Sequence, residues 1–286
     1  MTTSTFDPAK YKEAQRRDWS AAAAGWREWW PKLEEGLGSV AERLVELAEV
    51  APGDRVLDVA TGIGEPAVTA ARKVGPEGRV VATDIAPGML EIGLARASEL
   101  GLDNIEFHET DAEELVLAGE RFDAVLSRFG LMFFPDLPGA LGRIRDVLLP
   151  GGRLAAAVWG RPERTPIIAI PLQVVARELE LPPPGPGTPG PLALADAEAL
   201  EAQVRASGFS DVRIERHDAE TPWDSVEQFI RFMQAIAAPI QNLLADKTPE
   251  RRAEVWGAVE QAVAGRAESD GSLRLANEVI YVVGRR

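Results

Sequence analysis

A short apolar strand that breaks at a glycine turn and runs into a helix constrains this chain more than any other stretch. It reads Arg55-Val56-Leu57-Asp58-Val59-Ala60-Thr61-Gly62-Ile63-Gly64-Glu65-Pro66-Ala67-Val68. Val56 to Ala60 is the predicted strand, the turn falls at Thr61 and Gly62, and Gly64 leads into the helix. Glycine suits a turn that needs unusual backbone angles and lets a ligand approach the bare main chain. The unpaired N–H groups at the helix start then face that ligand. Taken alone, such a turn also serves as a plain strand-to-helix connection that binds nothing.

The following residues narrow the reading. A second apolar strand, Arg79 to Thr83, ends in Asp84, twenty residues after Gly64. That spacing fits a βαβ unit whose second strand carries a ribose-binding carboxylate. A third predicted strand, Ile105 to His108, runs into Glu109-Thr110-Asp111-Ala112, and a fourth, Phe122 to Leu126, into Ser127-Arg128-Phe129-Gly130. A helix capped by Asp136 buries Leu141, Ile144 and Leu148, and Pro150-Gly151-Gly152 turns into a fifth strand, Arg153 to Trp159. Alternating strands and helices argue for a mostly parallel sheet with helices on both faces. Ligands of such sheets lie outside the carboxyl ends of the strands.

Composition excludes several classes. The formal net charge of −14 opposes binding to phosphate backbones, so no nucleic-acid partner is expected. The one basic cluster, Lys10 to Arg17, is interrupted by Glu13. There is no cysteine, hence no disulfide framework and no thiolate metal site, and histidine occurs only at His108 and His217. No apolar run approaches the ~18–20 residues of a membrane span. Met1 to Thr5 lacks a signal-peptide pattern, so the expected location is the cytoplasm.

Asp58-x-x-Thr61-Gly62-x-Gly64, Asp84, Asp111-Ala112 and Leu149-Pro150-Gly151-Gly152 together resemble the class I S-adenosylmethionine-dependent methyltransferases. Within them the chain is most similar to small-molecule enzymes related to the ubiquinone/menaquinone C-methyltransferases, over residues 40–160 and more loosely 195–286. The resemblance implies an α/β fold: a Rossmann-like seven-stranded sheet with its last strand antiparallel beside the fifth. It implies an N-terminal helical lid segment (1–38) on a methyltransferase domain (39–286), with lid insertions at about 160–195 and 222–272. The cofactor would be S-adenosylmethionine, leaving as S-adenosylhomocysteine, and the partner a small-molecule methyl acceptor. Ala60, Thr61, Gly62 and Gly64 would pass close to the methionine part. Asp58 would organise the turn and receive the cofactor's amino group, directly or through water. Asp84 would accept both ribose hydroxyls, Ile85 and Met89 would pack on adenine, Asp111 would take its amine and Ala112 a ring nitrogen. Ser127 and Phe129 would complete the site. For Asp84 and Asp111 a helix N-cap is the plainer alternative.

Departures from related families carry information. Ser127-Arg128-Phe129-Gly130 replaces the Asn/Asp-Pro-Pro-aromatic of nucleobase amino-methyltransferases and offers no acidic metal ligands, so no metal is expected. Arg128 is a candidate for steering an anionic or enolised acceptor, or a structural arginine at a strand end. His217, just past a predicted strand (Asp211 to Arg216), is a candidate general base or a solvated surface histidine. An NAD(P)-dependent oxidoreductase would want a third glycine where Ala67 stands. A non-catalytic cofactor-binding protein on the same fold is the other alternative.

The flanks are less constrained. Trp19, Trp26 and Trp30 share one face of a predicted helix over residues 8–30, with Trp29 beside them. That stripe either packs on the sheet domain or closes over the cofactor. Pro31 is expected to stop this helix, Ser39-Val40-Ala41-Glu42 to cap the next, and Gly25 to be a flexible point. Met89, Leu90 and Leu94 are expected on the buried side of the helix after Asp84. Residues 182–191, rich in proline and glycine, form a stiff loop, and residues 224–266 are mostly helical, restarting at Thr248-Pro249. The last strand runs from Glu278 to Val283.

Overall fold

The computed structural model describes residues 6–115, 117, 119–185 and 187–286. Its centre is a seven-stranded sheet of β1 (Arg55–Val59), β2 (Arg79–Asp84), β3 (Ile105–Glu109), β4 (Phe122–Arg128), β5 (Leu148–Trp159), β6 (Ser210–Trp223) and β7 (Leu273–Arg285). The spatial order is β3-β2-β1-β4-β5-β7-β6. β3, β2, β1, β4 and β5 pair in parallel, and β7 runs antiparallel to both β5 and β6. The order reverses between β1 and β4, which makes the ends of those two strands the switch point where a ligand crevice forms. Nearly every side chain of β1, β2 and β4 is buried. Strand side chains alternate between faces, so both faces must be covered.

The covering helices include α2 (Ala67–Val74), α3 (Pro87–Glu99), α4 (Leu137–Val147), α5 (Pro166–Glu178) and α6 (Ala197–Ala206). α7 (Val226–Ile236), α8 (Ala238–Leu244) and α9 (Pro249–Ala264) fill the segment between β6 and β7, and Thr248 caps α9 through the Arg251 N–H. Asp136 caps α4 as expected, accepting from the Gly139 N–H. None of the described helices is long and apolar enough to cross a membrane.

The N-terminal segment departs from expectation. α1 is one helix from Pro8 to Leu47, passing through Pro31 and through residue 38. A proline inside a helix forfeits one backbone hydrogen bond and crowds the preceding turn. The helix persists because its second half buries Leu33, Leu37, Val40, Leu44 and Val45 in the main core. Each such side chain contributes about 1.5–3 kcal/mol of burial, so packing outweighs the ~3 kcal/mol disruption at proline. Ser39 and Glu42 are solvent-facing residues of that helix, not a cap. Gly25 is no hinge either: it faces α7 so closely that an added Cβ would strike the Ala235 carbonyl. Leu94 points outward, 57% exposed, while Met89 and Leu90 are buried. β6 extends through residue 223 and β7 starts at Leu273, because the two pair over almost their full lengths.

Candidate functional site

The turn after β1 is built from three residues with positive φ: Ala60 at 58°, Gly62 at 56° and Gly64 at 99°. Alanine in this region costs about 1–2 kcal/mol, so the surroundings must hold it there. Asp58 provides the hold. It is fully buried, and its Oδ2 accepts from the Thr61 hydroxyl at 2.6 Å and from the Ala67 N–H, the first residue of α2, at 2.9 Å. Oδ1 has no partner among the described residues. Burial pushes the Asp58 carboxyl up to about 7, against the pull of the Thr61 and Ala67 hydrogen bonds and of Arg128.

Asp84 closes the turn from the next strand. Its Oδ2 accepts the Gly62 N–H at 2.8 Å and its Oδ1 the Ala86 N–H at 2.9 Å. Each oxygen keeps a further lone pair. Burial raises the pKa of Asp84, opposed by these backbone donors.

These residues open on a cavity of about 250 Å³. Ala60, Thr61, Gly62, Asp84, Ile85, Met89, Asp111, Ala112, Arg128 and Phe129 all line it. Asp58, Gly64 and Ser127 do not. Asp58 and Ser127 lie wholly buried behind the wall, and the missing Cβ of Gly64 faces Gly93 and Arg96 of α3. Their position makes them supports of the turn. Asp111 realises the capping alternative: Oδ1 accepts the Glu113 N–H at the start of a short 3-10 turn, Ala112–Glu114. Its other oxygen meets the Lys12 ammonium at 2.7 Å. His217 is absent from the site. It is exposed in mid-β6, opposite Val279, because the strand continues six residues past it to Trp223.

Trp19 belongs to the tryptophan stripe read from the sequence, but its neighbours Tyr11, Lys12 and Gln15 were not visible there as contributors. Tyr11, Lys12, Gln15 and Trp19 of α1 form a wall over the Asp84–Asp111 end. Lys12 joins Asp111 and Glu113, and Arg16 joins Glu109, so the basic cluster of α1 meets the acidic ends of the third strand. Burial opposes the charge on Lys12, but the hydrogen bonds to Asp111 and Glu113 outweigh it and raise its pKa. The tryptophans divide their work. Trp19 and Trp26 line the cavity, Trp19 meeting Phe133 edge-on. Trp29 packs on Trp223 and Phe232, and Trp30 lies beneath the Arg96 guanidinium, 3.7 Å away.

The far part of the cavity is apolar. Phe129, held at φ 59°, stacks on Trp159 with ring centres 4.0 Å apart. Ile167 and Leu172 of α5 and Phe232, Met233 and Ile236 of α7 complete it. The charged lining residues, Lys12, Glu65, Asp84, Asp111, Glu113 and Arg128, come from α1 or from the ends of β1 to β4 and their turns. The cavity thus has a polar half at the strand ends and an apolar half among helices.

Comparison with known proteins agrees with this geometry. Residues 41–178 match the ubiE/COQ5 methyltransferase family. Nocamycin O-methyltransferase of Saccharothrix syringae is 31% identical over 255 residues, covering 86% of this chain and 90% of that protein. Aklanonic acid methyltransferase DauC of Streptomyces sp. (strain C5) is 43% identical over 116 residues, which are 41% of this chain and 53% of that protein. The match spans about half the length of that enzyme and of a UbiE C-methyltransferase from Teredinibacter turnerae. Among solved structures, phosphoethanolamine N-methyltransferase 2 of Haemonchus contortus, in complex with phosphomonomethylethanolamine and S-adenosylhomocysteine, superposes with a TM-score of 0.52 at 20% identity. The superposition covers 85% of this chain and 51% of that one, and shows a shared fold.

Proposed function

The chain belongs to the ubiE/COQ5 methyltransferase family, and on that premise we propose that it transfers a methyl group from S-adenosylmethionine to a small, largely apolar acceptor, without a metal. The observation that carries this is Asp84. Its carboxylate is locked by the Gly62 and Ala86 N–H groups at the mouth of a glycine turn, with lone pairs left over for two vicinal hydroxyls. The orphaned Oδ1 of Asp58 behind the same turn suits an ammonium, reached directly or through water. Ile85 and Met89 offer an apolar face for adenine between Asp84 and Ala112. The residues therefore fit the cofactor.

When bound, that cofactor supplies a methyl group made electrophilic by its sulfonium. What remains for the protein is alignment and dryness. The turn fixes one end, and the aromatic wall of Trp19, Phe129 and Phe133 excludes water from the join between the two halves. Among the described residues no His, Asp, Glu or Lys lines the apolar side, so the acceptor's proton is read as leaving to solvent water at the cavity mouth as the methyl group arrives. Residues 8–30 are read as the part that closes over the cofactor, and 160–195 and 222–272 as the parts that enclose the acceptor. A dinucleotide oxidoreductase is the poorer fit, since Ala67 fills the third glycine position and its N–H is already given to Asp58.

Calorimetry tests the reading. Expected is micromolar binding of S-adenosylmethionine or S-adenosylhomocysteine, about 8 kcal/mol, with no comparable binding of NAD. Tighter binding of NAD would overturn it. Labelled methyl transfer to a panel of apolar phenols, enols and carboxylic acids then separates an enzyme from a binding protein.

A further inference from the structure

Of the charged groups around the cavity, Arg128 is the one whose use is unexplained. Lys12 is matched by Asp111 and Glu113, and Arg96 by Glu65 and by the Ile63 carbonyl at 2.5 Å. Among the described residues no carboxylate lies within 4.0 Å of the Arg128 guanidinium, and its one polar contact is a long 3.5 Å approach to the Leu37 carbonyl. Only the longer-range fields of the buried Asp58 and of Glu34 and the face of Trp30 offset this partly buried charge, so its other hydrogen-bond donors are left unused. The charge calls for an anion that arrives with a ligand.

Two ligands have a claim, the cofactor and the acceptor. Position decides between them. Arg128 ends β4, the strand directly beside β1, where Leu126 pairs with Asp58. The Arg128 guanidinium lies 5.6 Å from the ring centre of Trp30, the same ring on which Arg96 sits, and Arg96 grips the glycine turn through Ile63. Arg128 is also near enough to the buried Asp58 to favour its ionised form. The cation thus stands at the glycine turn next to the carboxylate with the orphaned oxygen. The apolar half, where an acceptor would lie, begins one residue later, at the Phe129–Trp159 stack.

We propose that Arg128 binds the α-carboxylate of the cofactor's amino-acid tail while the Asp58 side of the turn receives its ammonium, so that the pair reads a zwitterion and leaves the acceptor half without a free cation. This rests on the reading of the site as one for S-adenosylmethionine. It reassigns Arg128 from steering the acceptor to holding the methyl donor. It also narrows the acceptor class, since an apolar chamber with no cation of its own selects a molecule that enters uncharged.

Three adenosine thioethers separate the possibilities in calorimetry: S-adenosylhomocysteine, its decarboxylated analogue with an aminopropyl tail, and methylthioadenosine, which lacks the tail. The unmodified protein should lose about tenfold or more in affinity when the carboxylate alone is removed, as expected for one charge-assisted pair. Arg128→Met, which keeps an unbranched apolar side chain, should weaken S-adenosylhomocysteine by a similar factor, and methylthioadenosine by less than about twofold. Arg128→Lys should fall between. Equal binding of S-adenosylhomocysteine and its decarboxylated analogue by the unmodified protein overturns the assignment without any variant. So does an equal loss for all three ligands in Arg128→Met, which marks Arg128 as structural. A protein that binds none of the three defeats the methyltransferase reading instead.

Discussion

The two halves of the cavity are made in different ways. Apart from the wall that α1 lays over it, the polar half comes from segments that are each short and local: a turn after β1, a carboxylate ending β2, a capped 3-10 turn after β3 and the end of β4. Their geometry is fixed by hydrogen bonds that the Asp58 and Asp84 carboxylates accept from the Thr61 hydroxyl and from backbone N–H groups, within a few residues or across neighbouring strands. The apolar half is gathered from α1, the end of β5, α5 and α7, more than two hundred residues apart in sequence. It is held chiefly by side-chain packing, with α5 pinned by the Ile167 N–H donating to Asn277, and packing tolerates substitution as long as volume and pattern survive. The first half can therefore stay fixed to keep one ligand while the second varies to accept others. The family match, residues 41–178, takes in the strand ends of the polar half and reaches α5, while the match to nocamycin O-methyltransferase covers 86% of this chain and so extends over both halves. The two shorter matches cover 41% and 42% of this chain, about half of each relative.

The strongest way to break this contrast is at Asp84. Replacing it with alanine removes two acceptors for the cofactor and also leaves the Gly62 and Ala86 N–H groups without their carboxylate. Two charge-assisted hydrogen bonds amount to about 3 kcal/mol or more, so affinity for S-adenosylhomocysteine should fall about a hundredfold at least. The melting temperature should drop as well, since the turn loses its anchor. Asp84→Asn, which keeps one acceptor oxygen, should lie between. Full-strength binding by Asp84→Ala would remove the polar half from the cofactor altogether.

The same division explains what the sequence could and could not show. Asp58, Gly62, Gly64 and Asp84 were legible because a local backbone need dictates residue type at fixed spacing. β1, β2 and β4 were legible because both their faces are buried, which leaves nearly uninterrupted apolar runs. α1 was misread at Pro31, because propensity is local and the packing of Leu33, Leu37 and Leu44 that overrides it is not. Lys12 sat in plain view within the basic cluster, but its partner Asp111 lies about a hundred residues away, and nothing in a single sequence links them. Phe232 and Ile167 look like ordinary core residues, which they also are. His217 was a candidate because it stands just past the predicted strand Asp211 to Arg216, and cross-strand pairing with β7, which carries that strand on to Trp223, is not local information.

Gly25 sharpens the comparison from the apolar side. A hinge glycine replaced by alanine gains about 1 kcal/mol of helix stability. Here the new Cβ meets the Ala235 carbonyl of α7, a backbone group that cannot rotate away. Overpacking of this kind costs about 1–3 kcal/mol, so the net effect of Gly25→Ala should be destabilising, with the melting temperature lowered by a few degrees. α7 carries Phe232, Met233 and Ile236, so the kinetic damage should appear as a raised KM for the acceptor, with the dissociation constant of S-adenosylhomocysteine nearly unchanged. A variant that melts higher than the parent would restore the hinge.

The smallest effect, and the one that probes the polar half most finely, is the pH dependence set by Asp58. Its carboxyl is pushed up to about 7 in the fold, chiefly by burial, from 3.8. The folded protein therefore holds this proton more tightly than the unfolded chain does. Asp58's contribution to stability is fully present below about 3.8 and is lost as the pH rises through about 7. Cofactor binding should run the other way, because only the ionised carboxylate attracts an ammonium. One unit below the folded pKa, about a tenth of the sites are ionised, so S-adenosylhomocysteine should bind roughly tenfold more weakly at pH 6 than at pH 8. Stability without ligand should decline over the same interval, giving two slopes of opposite sign from one group. Histidine is the usual titrating residue here, but His108 and His217 are both exposed and neither lines the cavity. Asp58→Asn should flatten both slopes together. If binding stays level from pH 6 to pH 8 while stability declines, Asp58 serves the turn alone, and the ammonium is held by other groups of the polar half.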